Sequence, residues 1–170
     1  TILMVIAGLC LGAAYTVTKD PIARQEAEQK EMARKAVLEE AVSFEEVQLT
    51  DGGNVQECYR GLDAAGNPCG YAMSVTAKGF GGDIQLTVGV KDGVVTGVRI
   101  GTHSETPGLG ARAAEEKFYS QFTGKSGTLS VIKTGEAGDS EINAITAATI
   151  TSTAVTNAVN EALDCAAGLN

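Results

Sequence analysis

From Thr1 to Thr18 the chain carries no charged residue, and Ile2, Leu3, Met4, Val5, Ile6, Leu9, Leu11 and Val17 make the run strongly apolar. A membrane span takes roughly 20 largely apolar residues. The chain opens on Thr1 and not on a methionine, so further N-terminal residues are expected to lengthen the run. Residues 1–18 are therefore assigned as a transmembrane helix. The rival reading is a cleaved secretory signal, which has a shorter apolar core and a small-residue cleavage site. Ala13-Ala14 makes a poor site of that kind, and Cys10 lacks the small preceding residue of a lipoprotein signal.

After Thr18 the pattern changes abruptly. Ile22, Met32, Ala33, Ala36 and Val37 recur at helical spacing among Arg24, Glu26, Glu28, Lys30, Glu31, Arg34 and Lys35, which predicts a helix from Pro21 to about Val42 with a solvated charged face. Pro21 suits a first-turn position, where a missing N–H costs nothing. Residues 19–43 are read as a helical stalk and 44–170 as the globular domain.

Within that domain the period shifts to two. Residues Gly70 to Ala77 form one strand candidate; Ile84, Leu86, Val88 and Val90 alternate, as do Val94, Thr96, Val98 and Ile100. Asp92-Gly93 between the last two runs is a strong hairpin signal. Gly79-Phe80-Gly81-Gly82 breaks the chain between strands. Ala111, Ala114, Phe118 and Phe122 predict a second helix ended by Gly124, and Leu129 with Val131 a short strand. Val155, Ala158, Val159, Ala162 and Leu163 give a last helix an apolar side from about Thr149. The predicted class is α+β, an antiparallel sheet with helices packed on it.

A formal charge of −8 and a pI near 4.6, with no cluster of Lys and Arg interleaved with aromatics, argue against nucleic acid as a partner. Of the four cysteines, Cys10, Cys58, Cys69 and Cys165, none forms a CxxC or a Cys/His pair at metal-ligand spacing, and His103 is the single histidine. No metal ligand set is predicted. Cys58 and Cys69 flank a turn-like stretch, Gly61 to Pro68, and either pair across a hairpin or remain free thiols. His103 is read as a polar residue at a strand end, with contact to a bound ligand as the alternative.

The candidate chemistry lies in Asn143-Ala-Ile-Thr146-Ala147-Ala148-Thr149-Ile-Thr151-Ser152-Thr153. Hydroxyls crowd the start of an apolar-faced helix, where free N–H groups and the positive end of the dipole stabilise a phosphate. Small side chains at Ala147 and Ala148 leave room for a bulky group. Taken alone, the same residues read more readily as a Ser/Thr-rich helix cap.

The segment resembles the flavinylation motif, Asp-x-x-Ser/Thr-Gly-Ala-Thr, of the FMN-binding domain shared by the G subunit of the Rnf complex and the C subunit of the Na⁺-translocating NADH:quinone reductase. In this alignment Asn143 stands for the Asp, Thr146 for the Ser/Thr, Ala147 for the Gly, Ala148 for the Ala and Thr149 for the acceptor. His103-Ser-Glu105-Thr106-Pro107-Gly108-Leu109-Gly110 is similar to the same family's Glu-Thr-Pro-Gly-Leu-Gly turn, and the Gly79–Gly82 cluster and the Asp92-Gly93 hairpin keep family order. The short chain and compact stalk favour the Rnf protein over its longer relative.

The resemblance implies FMN held covalently through its phosphate at Thr149. Thr146, Ala148, Thr151 and Ser152 are expected around the phosphate, and Glu105, Thr106, Gly108 and Leu109 beside the ring. It further implies an electron-transfer component coupling ferredoxin:NAD⁺ chemistry to Na⁺ or H⁺ translocation, without turnover of its own. Its partners would be the other Rnf subunits, including membrane-embedded redox subunits, and a flavin transferase; the domain would face the outer side of the membrane. The alternatives are the equivalent component of the NADH:quinone reductase and a flavin-free membrane-anchored binding module.

Overall fold

The computed structural model describes residues 24–49 and 53–169. Of these, residues 33–49 and 53–169 gather into one compact unit, and 24–32 fall to a second. The apolar run 1–18 lies outside the described residues, among which no helix is long and apolar enough to cross a membrane.

The centre of the larger unit is a five-stranded antiparallel meander: β1 (Ser43–Val47), β2 (Val55–Leu62), β3 (Pro68–Lys78), β4 (Asp83–Lys91) and β5 (Val94–His103), neighbours in space in chain order. The three strands predicted from alternation are β3, β4 and β5. Their inward residues Met73, Val75, Ile84, Leu86, Val88, Val90 and Val98 are buried on one face. Asp92 and Gly93 close the β4–β5 hairpin with φ of 52° and 75°, and Lys91 pairs with Val94 across them. Positive φ at both central residues is the type I′ turn, whose twist matches that of the strands.

Beyond β5 come two 3₁₀ turns (Gly110–Ala114 and Ser120–Phe122) around the single turn α2 (Glu116–Tyr119), then β6 (Ser130–Ile132), β7 (Glu141–Asn143) and α3 (Thr149–Leu169). β6 and β7 add a parallel pair to an otherwise antiparallel fold. The predicted second helix is therefore three short pieces. Glu115 adopts φ −77°, ψ 140° and breaks the ladder, while Phe118 and Phe122 still reach the core and meet edge to face at 5.6 Å. Gly124 ends the helical path; its N–H returns to Val95 O at 2.8 Å.

α3 lies across the inner face of the sheet through Val155, Ala158, Val159, Ala162, Leu163 and Ala166. Its first turns are rich in β-branched residues, which do not favour helix on their own. Tertiary burial holds them, and two hydroxyls turn back onto the ladder, Ser152 Oγ to Ala148 O and Thr156 Oγ1 to Ser152 O, each at 2.9 Å.

The first described helix, α1 (24–37), ends at 37, short of the predicted position near 42. Leu38 and Ala41 pack on the outer face of the sheet with Cys69 and Phe44, and the Val42 N–H bonds Leu62 O at 2.8 Å, leading directly into β1. Cys69 belongs to that outer cluster, whereas Cys58 is in the inner core and pairs in register with Met73. Both thiols are free. Burial pushes the Cys58 thiol up to about 12.

Val37 sits where Gly89 and Gly97 face each other across β4 and β5. Its carbonyl accepts the Thr96 hydroxyl, and a Cβ on Gly89 would lie 2.3 Å from that carbonyl oxygen. The two glycines make the flat spot on which the chain turns. Gly89→Ala is predicted to lower stability by about 1–3 kcal/mol through overpacking, measured by urea denaturation. Unchanged stability would mean that Val37 does not rest on that spot in solution.

Candidate functional site

After His103 the chain enters Thr106-Pro107-Gly108-Leu109, where the Leu109 N–H bonds Thr106 O at 3.1 Å. Pro at the second position and Gly with φ +77° at the third are the pattern of a type II turn. A Cβ on Gly108 would meet nothing within 4 Å, so this glycine serves the turn. Crowding lies at Gly110 instead, where a Cβ would stand 2.0 Å from Glu105 Oε2 and 2.7 Å from Thr151 Oγ1.

The Glu105 side chain is only 6% exposed. Its Oε1 accepts the Gly81 N–H at 2.8 Å, and its Oε2 accepts the Thr151 hydroxyl at 2.6 Å. A Cβ on Gly79 would fall 2.3 Å from Oε1. Glycines in two separate segments thus make room for one carboxylate, which joins the β3–β4 turn, the Thr106–Leu109 turn and α3. His103, half-buried at the end of β5, accepts the Glu105 N–H on Nδ1 at 3.4 Å and does not line the cleft described below. It is the polar strand-end residue expected.

At the start of α3 the hydroxyl cluster is not a cap. Ser152 Oγ accepts the Ile145 N–H at 2.9 Å and donates to Ala148 O; Thr151 donates to Glu105. Among the described residues, no hydroxyl of this cluster bonds a first-turn amide, and the half-buried Thr149 hydroxyl has no hydrogen-bond partner. The ladder begins with Ser152 N–H to Ala148 O at 3.0 Å, so the N–H groups of Thr149, Ile150 and Thr151 stand ahead of it. The residue at the position of the motif's glycine, Ala147, has φ +63°, a left-handed conformation that costs a non-glycine residue roughly 1–2 kcal/mol.

These segments enclose a cleft of about 380 Å³, within the range of roughly 300–1,000 Å³ usual for small-molecule sites. Glu105, Thr106, Leu109 and Gly110 line it from the turn, Ala147 through Thr151 from the start of α3, and Phe80 from the β3–β4 turn. Of the residues predicted for the site, Glu105, Thr106, Leu109, Ala148, Thr149 and Thr151 come together there. Gly108 lies in the adjoining turn, and Ser152 is fully buried beneath. Thr146 faces a smaller hollow of about 140 Å³ with Asn143, Arg112 and Gln121.

Sequence reasoning missed Phe80 and Ile150 as lining residues. Both are apolar and more than half exposed, at 72% and 58%. The available signal was an aromatic side chain set among three glycines, where no strand or helix period explains it.

The donor set fits a flavin mononucleotide. Unpaired amides at a helix N-terminus suit a phosphate, and exposed Phe80, Leu109 and Ile150 offer apolar surface to a flat ring. No Lys or Arg lines the cleft among the described residues, so the helix end is its source of positive potential.

Comparison with known proteins agrees with this geometry. The profile of the FMN-binding domain matches residues 79–164, from the β3–β4 turn into α3. The G subunit of an ion-translocating oxidoreductase complex from Methanosarcina acetivorans is 35% identical over 170 residues, spanning 96% of this chain and 88% of that protein. The G subunit of the Na⁺-translocating ferredoxin:NAD⁺ oxidoreductase complex of Acetobacterium woodii is 36% identical over 176 residues, spanning 94% and 84%. Among solved structures, the C subunit of the Na⁺-translocating NADH-quinone reductase from Parabacteroides distasonis superposes with a TM-score of 0.54 at 25% identity, over 64% of this chain and 59% of that one. The chain thus belongs to the FMN-binding domain family, among the G subunits of ion-translocating oxidoreductase complexes.

Proposed function

We propose that this protein is the electron-transfer component of an Rnf-type membrane complex and carries FMN esterified through its phosphate to Thr149. The observation that carries the reading is the Thr149 hydroxyl. It has no hydrogen-bond partner among the described residues, and it lines a cleft shared with Glu105, Thr106, Leu109 and Gly110 of the neighbouring turn. When bound, the flavin supplies the redox chemistry. The chain's own groups would hold and orient it: the amides of residues 149–151 would take the phosphate, and Phe80, Leu109 and Ile150 would give the ring an apolar surface to rest on. Similarity over most of the chain to G subunits favours the Rnf reading over the NADH:quinone reductase, whose relatives enter here through fold.

On this reading the partners are the other subunits of the complex, including membrane-embedded redox subunits, and a flavin transferase. Its work is the transfer of electrons from ferredoxin toward NAD⁺, coupled to Na⁺ or H⁺ translocation and carried out only within the assembly. Residues 1–18 are the single membrane span, and the flavin domain lies on the outer face.

Two outcomes test this reading, and a third tests the strain at Ala147. Thr149→Ala, co-expressed with a flavin transferase, is predicted to lose covalent flavin completely while remaining folded, whereas Thr151→Ala still carries it. Peptide mass spectrometry across residue 149, looking for FMN less one water, decides the point; flavin retained on the Thr149→Ala chain would defeat the proposal.

Ala147→Gly removes the left-handed strain at the motif's glycine position. It should raise stability by about 1 kcal/mol, the cost of left-handed φ less the entropy glycine adds to the unfolded chain. Thermal melting measures it, and a lower Tm would show that Ala147 is not strained.

An uncharged run avoids the penalty of about 2.5–3.5 kcal/mol for each charged residue at mid-membrane. The protein should therefore stay with membranes through an alkaline carbonate wash. Full release into the supernatant, with a mature N-terminus beyond Ala14, would replace the anchor by a cleaved signal.

A further inference from the structure

Glu105 lines the cleft, yet both of its oxygens are already engaged, one by Gly81 and one by Thr151. What those two bonds join is specific. Gly81 belongs to the tight turn Gly79–Gly82, closed by Gly79 N–H to Gly82 O at 2.9 Å, and that turn carries the exposed Phe80. Thr151 belongs to the first turn of α3, which carries Thr149. An aromatic ring so exposed has little packing of its own. Its place beside the cleft is set by the backbone beneath it, and Glu105 pins that backbone to the helix.

We propose that Glu105 is a positioning residue for the flavin. It fixes the span between Phe80 and the N-terminus of α3, so that a ring tethered at Thr149 rests against Phe80 in one orientation. The inference builds on the reading of Thr149 as the attachment point. A carboxylate suits the place because two donors from different segments converge on it, and hydrogen bonds to an ionised acceptor are the strong ones. Glutamine keeps the shape, accepting from Gly81 and donating to Thr151 Oγ1. Alanine leaves the buried Thr151 hydroxyl and the more exposed Gly81 N–H without their acceptor.

The experiment uses the full chain co-expressed with a flavin transferase, as parent, Glu105→Gln, Glu105→Ala, Phe80→Ala, Thr151→Val and Thr149→Ala. Intact mass reports loading. Visible circular dichroism and time-resolved fluorescence anisotropy of the flavin report how the ring is held, and Tm reports stability. Glu105→Gln is expected to keep the parent's flavin dichroism and anisotropy, with a lower Tm. Glu105→Ala should remain loaded but lose the flavin dichroism and gain a fast anisotropy decay, the ring swinging on its tether. Phe80→Ala should show the same optical loss at an unchanged Tm, which a merely structural role for Glu105 does not predict. Should Glu105→Ala fail to fold, Thr151→Val removes one of the two bonds and should give a partial optical loss. Parent-like dichroism and anisotropy in Glu105→Ala, in its Thr151→Val substitute or in Phe80→Ala would overturn the proposal, even where Tm falls. Covalent flavin on Thr149→Ala would overturn the attachment reading and the proposal together. A colourless Thr149→Ala beside a parent-like Glu105→Ala would overturn the proposal alone.

Discussion

Burying a carboxylate costs several kcal/mol unless its oxygens find partners, and at Glu105 both partners come from parts of the chain distant in sequence, Gly81 and Thr151. The three segments that line the cleft are therefore joined by one side chain. The surrounding glycines follow from it: Gly79 and Gly110 lack side chains because a Cβ in either place would collide with the Glu105 carboxylate. A motif that looks like flexible backbone is, in physical terms, the mould of a buried acid.

The sheet divides the remaining work between its faces. The inner face buries the main core under α3, which gives the helix a fixed seat and so fixes where its N-terminus points. The outer face takes the chain from Val37 to Phe44 onto a patch kept flat by Gly89 and Gly97. Chain entry and cleft are thus supported from the same five strands.

The parts of the fold legible in the sequence were those with an uninterrupted period. β3, β4, β5 and α3 followed from it, and the Asp92-Gly93 turn from its residue types. β2 escaped notice because a register shift between Val55 and Glu57 interrupts its alternation. β1 escaped because it is a polar edge strand, as edges exposed to solvent tend to be. The predicted second helix failed because Phe118 and Phe122 are four apart for packing on the sheet, and the backbone between Gly110 and Phe122 bends in pieces to bring them there. At the site, residue types exposed the hydroxyl cluster and the turn. Nothing in one dimension showed that Thr151 and Ser152 are committed inward while Thr149 is left free, since that depends on Glu105 arriving 46 residues earlier in the chain.

The cleft is modest in volume, and its apolar rim of Phe80, Leu109 and Ile150 is open to solvent. Such a site would hold a dissociable flavin poorly. With the cofactor tethered at Thr149 as proposed, binding becomes intramolecular, and the local concentration of the ring is of the order of millimolar, as for a short flexible linker. Weak contacts then suffice. The cleft would then have only to decide where the ring rests, since the proposed ester would decide that it stays.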